Sequence, residues 1–373
     1  MRRLLLCLTI FAATAFANTY YVAATGSDSN SGTETSPWLT IQHAADVAVA
    51  GDTIHVLPGT YTEQVTISHS GTSGSRIVFT SDTKWAALMR GTNVCRGAFF
   101  VSGSYVDIVG FDISNGAYTC TEVVGIMLGT FDRAIGNKIH DLPAECSSQG
   151  AAAIGTHANG YTDHDNEASF NVIDNIKVAS TCTDHNHAQG IYFAVPNGKA
   201  FNNIVSNVTA NCFSSWHSAT NLVISGNTIM NCGGAGVSIG ADGTTGANAN
   251  SFVTDNISRN SPYGFAENGT VSGTRFNNNV IYADTTNFKL INGTQSGTVT
   301  ADPQNVNYTG NAITGDYHLQ STSPAIDAGT SLGAPTTDID GVLRNSTWDI
   351  GAYGFSATST VPTSPTGLTA IAH

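Results

Sequence analysis

Basic residues are scarce in this sequence. Lys and Arg together number 14 against 27 Asp and Glu, and the formal net charge is −13. A surface this acidic repels phosphate backbones, so nucleic acid is excluded as a partner. It also repels polyuronates, unless calcium bridges the charges or a local basic patch exists. Beyond residue 17 no run reaches the roughly 18 apolar residues a membrane helix needs, so no membrane insertion is expected. No amphipathic helical period appears between residues 52 and 300, which argues against helical and leucine-rich repeats. The cysteines show no C-x-x-C spacing, which argues against zinc.

The N-terminus reads as a secretory signal over residues 1–17. Arg2 and Arg3 precede an apolar core from Leu4 to Ala13, and Ala15-Phe16-Ala17 is an A-x-A cleavage site. Removing both arginines takes the net charge from −13 to about −15. Export implies an oxidising compartment for Cys95, Cys120, Cys146, Cys182, Cys212 and Cys232. An exported protein, free of the membrane and monomeric, is expected.

One asparagine pattern returns along the chain. Ser206-Asn207-Val208-Thr209-Ala210-Asn211-Cys212 resembles Gly226-Asn227-Thr228-Ile229-Met230-Asn231-Cys232, and Asp255-Asn256-Ile257 and Asn278-Asn279-Val280 follow. With Asn137 and Asn175 upstream, anchors at 137, 175, 207, 227, 256 and 279 are spaced by 38, 32, 20, 29 and 23 residues. A floor near 20 with variable excess describes a coil of fixed circumference carrying loops of variable length. Between anchors lie short alternating runs such as Gly190-Ile191-Tyr192-Phe193 and Gly236-Val237-Ser238-Ile239, which read as strands. Asn suits a tight bend and can stack in ladders. In this register Cys212 and Cys232 each follow their anchor by five residues on adjacent coils, close enough for a disulfide or for a stack of thiols.

These features resemble the secreted bacterial right-handed parallel β-helix proteins of the pectate-lyase-like superfamily, over residues 19–355. The expected fold is all-β, a right-handed single-stranded parallel β-helix with an N-terminal capping helix. Gly51-Asp52-Thr53-Ile54 with Pro58-Gly59-Thr60-Tyr61 is similar to the N-terminal cap of such proteins. Ser323-Pro324-Ala325-Ile326-Asp327-Ala328-Gly329 and Asp349-Ile350-Gly351-Ala352-Tyr353 resemble their C-terminal module. The expected organisation is a cap at 18–70, rungs at 71–300, a C-terminal capping module at 301–355 and a Ser/Thr/Pro-rich tail at 356–373. In the cap, Ser36 with Pro37 is expected to start a helix that Gly51 ends.

The resemblance implies a polysaccharide partner. The R-x-P-x-x-R signature of pectate lyases and the N-T-D and R-I-K motifs of polygalacturonases are absent, which counts against those two activities. The strongest polar constellation is the pair Thr162-Asp163-His164-Asp165-Asn166 and Thr183-Asp184-His185-Asn186-His187, offset by 21 residues, about one coil. Six of the 11 histidines fall within residues 140–217. With Ile191 and Phe193 inward, Tyr192 points outward; with Trp216 inward, so does His217. Tyr192, His217 and His187 are therefore the candidate acid/base residues for β-elimination or epimerisation of a uronate, with Asp184 orienting a histidine. The same residues could instead form a sugar-stacking platform in a non-catalytic glycan-binding solenoid. No cofactor is certain; Asp163, Asp165 and Asp184 are candidate calcium ligands.

Overall fold

The computed structural model describes residues 17–91, 97–114, 122–144, 150–178, 187–331, 335–344 and 346–355. Residues 1–16, Cys95, Cys120, Cys146, Cys182, Asp184, His185 and residues from 356 onward lie outside the described residues.

Through the coils, from Thr53–Val56 to Thr294–Ser296, strands of the long sheets pair not with the strand that follows them in sequence but with the strand one coil away, in parallel. Three long sheets result: a first of 11 strands from Thr19–Val22 to Thr294–Ser296, a second of nine from Gly59–Tyr61 to Val280–Tyr282, and a third of nine from Val65–Ile67 to Thr286–Lys289. One rung shows the path. Lys199–Phe201 lies in the first sheet, Ile204–Val208 in the second and Phe213–Ser215 in the third, before Val223–Ser225 re-enters the first. The fold is an all-β parallel β-helix.

Alternation fills the interior with columns in Cα register. Ala200, Ile224, Val253 and Phe276 point inward from the first sheet, Ile173, Val205 and Ile229 from the second, and Ile191, Phe213, Val237 and Phe265 from the third; all are at most 1% exposed or fully buried. No single rung could bury these side chains alone, so stacking is what stabilises each.

The corner from the first to the second sheet carries an amide ladder. Asn137, Asn171, Asn203, Asn227, Asn256 and Asn279 each pass an Nδ2–H to the Oδ1 of the next, at 2.8 to 3.2 Å. Each of these acceptor oxygens also takes the backbone N–H of the preceding asparagine at 2.9 to 3.0 Å. The residue before each one is left-handed: Gly136, Phe170, Asn202, Gly226, Asp255 and Asn278 have φ between 50° and 68°. The bend therefore belongs to that residue, where Gly, Asn and Asp are favoured, and the ladder asparagine satisfies the buried turn.

This corrects the anchor register. Asn175 and Asn207 are not in the ladder; they stand at the next corner, left-handed themselves, in line with Asn231. The true partner of Asn227 in the coil below is Asn203. Cys212 and Cys232 are nevertheless bonded, with Cα atoms 5.6 Å apart. Val208, not Cys212, is in register with Cys232, so the bridge runs obliquely across the corner.

Among the described residues there is one helix, Ile41–Val47. It starts four residues later than Ser36-Pro37 suggested and ends at Val47, before Gly51. Thr40 is the N-cap, accepting from His43 N at 3.1 Å, and the Glu63 carboxylate takes the next free N–H groups, of Ile41 and Gln42. Ser36 instead closes a small antiparallel bridge with Thr33. The described residues from 305 to 355, within the C-terminal capping module expected at 301–355, lie along the outer flank of the second sheet. Ala312, Tyr317, Ile339 and Ala352 cover Val172, Ile204 and Met230, and Leu319, Ala325 and Ile350 cover Ile257 and Val280.

Candidate functional site

The third sheet faces outward through a second set of alternating residues. Gly155, Tyr192, Ser214, Ser238, Ala266 and Lys289 form one column in Cα register across six successive rungs. Over this column lies a cleft of about 740 Å³. Tyr192, His217 and His187 all line it, so the structure brings the three candidate acid/base residues together.

The side chains arrive there by different routes. Tyr192 projects between the fully buried Ile191 and Phe193, as alternation predicts. Trp216 does not point inward. Phe213 and Ser215 face the interior, so Trp216 faces the cleft, where its ring covers Gly240; a Cβ there would come within 2.8 Å of the ring. His217 reaches the cleft because its own backbone turns left-handed, with φ 62°. Such a conformation costs a non-glycine residue of order 1 kcal/mol or more, and functional sites are where it clusters. The register partner of Tyr192 is Ser214, not His217.

Two further rings close the gap between them. The loop at residues 156–166 supplies His157 and Tyr161. His157 meets Tyr192 edge-on at 5.7 Å and Tyr161 face-on at 6.0 Å, and Tyr161 lies 4.0 Å from His217. Tyr192, His157, Tyr161 and His217 thus form one continuous row of rings. Asp163 pins this loop, accepting from Thr130 Oγ1 at 2.9 Å, Asn159 N at 2.7 Å and Asn159 Nδ2 at 3.1 Å.

Behind His217, Nδ1 lies 2.7 Å from Thr245 Oγ1, which donates to the Asp242 carboxylate at 3.0 Å. Backbone N–H groups of Thr245 and Thr244, together with that hydroxyl, hold the Asp242 carboxyl down to about 2. Burial lowers the His217 pKa below the usual imidazole value; Asp242 opposes this and His157 adds to it. At the far end, Lys289 Nζ donates to Asn268 Oδ1 at 3.0 Å, and Asn268 Nδ2 donates to Ser238 Oγ at 2.8 Å.

The electrostatics of the cleft invert those of the whole chain. Among the described residues lining it there is no Asp or Glu, while Lys289 and three histidines are present. Of the two motifs singled out as an echo, the first is described whole, and of the second Thr183 to Asn186 lie outside the described residues. His164 and Asp165 stand at the corner before the first sheet, and His164 Nδ1 bonds Asp165 at 2.6 Å; His187 stands before the third sheet, its carbonyl accepting from Ala151 N. The calcium set does not assemble among the described residues. Asp163 is spent on its loop, Asp165 on His164 and Asn197, and no three His, Cys, Asp or Glu side chains converge to hold a metal ion. Asp184, the third candidate ligand, lies outside the described residues.

Sequence reasoning missed His157, Tyr161, Trp216, Lys289, Thr245 and Asp242. A usable signal was loop length: residues 156–166 and 242–251, the second holding the short strand Asn248–Ala249, are the long connections from the third sheet to the first in this region.

Comparison with known proteins agrees with the architecture. Residues 20–307 match the family model described as "Pel9A-like, right handed beta helix region". The crystal structure of pectate lyase Pel9A superposes with a TM-score of 0.58 at 17% identity, covering 92% of this chain and 98% of that one. Pectate lyase L of Dickeya chrysanthemi is 22% identical over 357 residues, 87% of this chain and 81% of its own length. The uncharacterized protein YwoF of Bacillus subtilis is 33% identical over 172 residues, 46% of this chain; the match spans 31% of the Bacillus protein's length.

Proposed function

Because this chain belongs to the Pel9A-like right-handed β-helix family, we propose that it is an exported polysaccharide lyase-like enzyme acting on a uronate-containing glycan in the third-face cleft. The observation that carries this reading is the cleft's composition: aromatic rings, histidines and one lysine, without a described carboxylate, in a chain of net charge −13. Retaining and inverting glycosidases use a pair of carboxylates. β-Elimination needs instead a base for the proton beside the uronate carboxylate and an acid for the departing glycosidic oxygen. Tyr192 and His217 are of the right type, and the cleft removes the repulsion that the rest of the surface would impose on a polyanion.

A panel of uronate polysaccharides, read by the ultraviolet absorbance of the unsaturated product end, tests the proposal. Product from at least one polymer is expected, and its loss in His217→Ala. A second reading rests on the ring row. Tyr161 is 49% exposed beside Trp216 and Tyr192, a surface on which sugars could stack without reacting. Glycan affinity without product from any polymer would favour that binding role.

A further inference from the structure

The loop behind His217 determines which of its nitrogens is available. Asp242 is fully solvent-facing and ionised at neutral pH, so its oxygens only accept hydrogen bonds. The single hydroxyl hydrogen of Thr245 has two acceptors in reach, the Asp242 carboxylate at 3.0 Å and His217 Nδ1 at 2.7 Å, and the charged carboxylate is the stronger of the two. With the hydrogen on Asp242, what Thr245 Oγ1 offers His217 Nδ1 is a lone pair. In that arrangement the neutral imidazole carries its proton on Nδ1. The loop is built for this contact. Asp242 accepts the N–H groups of Thr244 and Thr245 at 2.8 Å, and Gly246 lets the loop close against Ser218: a Cβ there would meet Ser218 at 2.7 Å.

We propose that Asp242 and Thr245 are positioning residues that hold His217 in its Nδ1–H form, making Nε2 the proton-accepting atom of the cleft. This rests on the lyase reading for its chemistry and on the hydrogen bonds alone for the tautomer. Nε2 takes the proton from the carbon beside the uronate carboxylate. The C–H electron pair becomes the new double bond, the bond to the glycosidic oxygen breaks, and that oxygen takes the Tyr192 hydroxyl proton. Solvent water then returns a proton to Tyr192 and removes one from His217. Among the described residues, the charged and titratable groups facing His217 are Asp242 and His157, with the Tyr161 ring at 4.0 Å.

Ring nitrogen-15 NMR of the full chain, without substrate, reads the tautomer directly. The expected spectrum has the His217 proton on Nδ1 in the wild type and in Thr245→Ser, and a mixture of tautomers in Thr245→Val. Turnover should fall about tenfold in Thr245→Val, a fraction of the whole worth of a general base, and recover in Thr245→Ser. Asp242→Asn removes the charge that favours the imidazolium, so the acidic limb of the kcat/KM pH profile should move to lower pH. A wild-type proton on Nε2 overturns the proposal, and so does a Thr245→Val protein with unchanged tautomer and turnover. An Nδ1–H His217 in a protein that cleaves no polymer supports the relay and overturns the lyase reading instead.

Discussion

Two parts of each coil behave in opposite ways. At the corner between the first and second sheets six successive rungs, from Asn137 to Asn279, turn in the same two residues, a left-handed one and a ladder asparagine whose amide is paired within the ladder. Where the chain leaves the third sheet the connections vary, and they carry His157, Tyr161, Thr245 and Asp242 over the opposite face. The constant corner bears stability; the variable one carries the proposed site. Loops on a rigid scaffold can change without disturbing the buried turns, which is why the two duties separate.

Substitutions can break that division. The largest effect is expected at the cleft: His217→Ala should lower turnover by about 10²–10⁴-fold, the usual worth of general acid–base catalysis. Its melting temperature should stay near that of the wild type, and Tyr192→Phe should behave alike. A large loss of stability in either would show that the cleft is also structural.

The converse test is Asn227→Ala. It removes the acceptor of Asn203 N and Asn203 Nδ2, both at 2.9 Å, and the donor to Asn256 Oδ1 at 2.8 Å. Each buried group left unpaired costs about 1–3 kcal/mol, so denaturant unfolding should show a loss of roughly 2–5 kcal/mol. Turnover per folded molecule should be unchanged.

A smaller effect is expected from pH. Burial raises the Asp255 carboxyl to about 7, against the hydrogen bonds it accepts from Thr330. The folded state thus binds this proton more tightly than the unfolded chain. Its stabilising effect is complete below about pH 4 and is lost as pH rises to about 7, on the order of a few kcal/mol. Asp255→Asn should flatten the urea midpoint across that window. The smallest effect belongs to His318, raised to about 9 by Asp340, 2.9 Å away, and by Asp316, 2.7 Å away. Here stability is present below about pH 6.5 and lost as pH rises through 9. His318→Gln should remove that alkaline slope in the same titration.

How much of this could be read from the sequence follows from the same contrast. Repetition made the coil visible, because an identical local turn demands similar residues in each rung. The register slipped where two asparagine columns run side by side: Asn203 and Asn207 share a strand's two ends, and both suit turns. The Cys212–Cys232 bond was found in spite of that slip, since adjacent coils bring either register within bridging reach. Tyr192 was legible because strand alternation is strict. His217 reached the cleft for a reason invisible to alternation, a positive φ after Trp216. Thr245 and Asp242 were not legible at all, because a loop 28 residues away in sequence is brought there only by stacking.

In a bare solenoid each coil senses only the coils beside it, so an end can peel away turn by turn. Residues 305–355 change the connectivity of that chain of contacts. They reach Asp174 through Asn311, Asn202 through Arg344, Thr228 through Ala352, Asp255 through Thr330 and Asn278 through Ala328, at least one contact on each of five consecutive coils. A row of dominoes has become a splinted rod. Its C-terminal coils must loosen together, and the cleft on the far face inherits a rigid floor from a segment that never touches it.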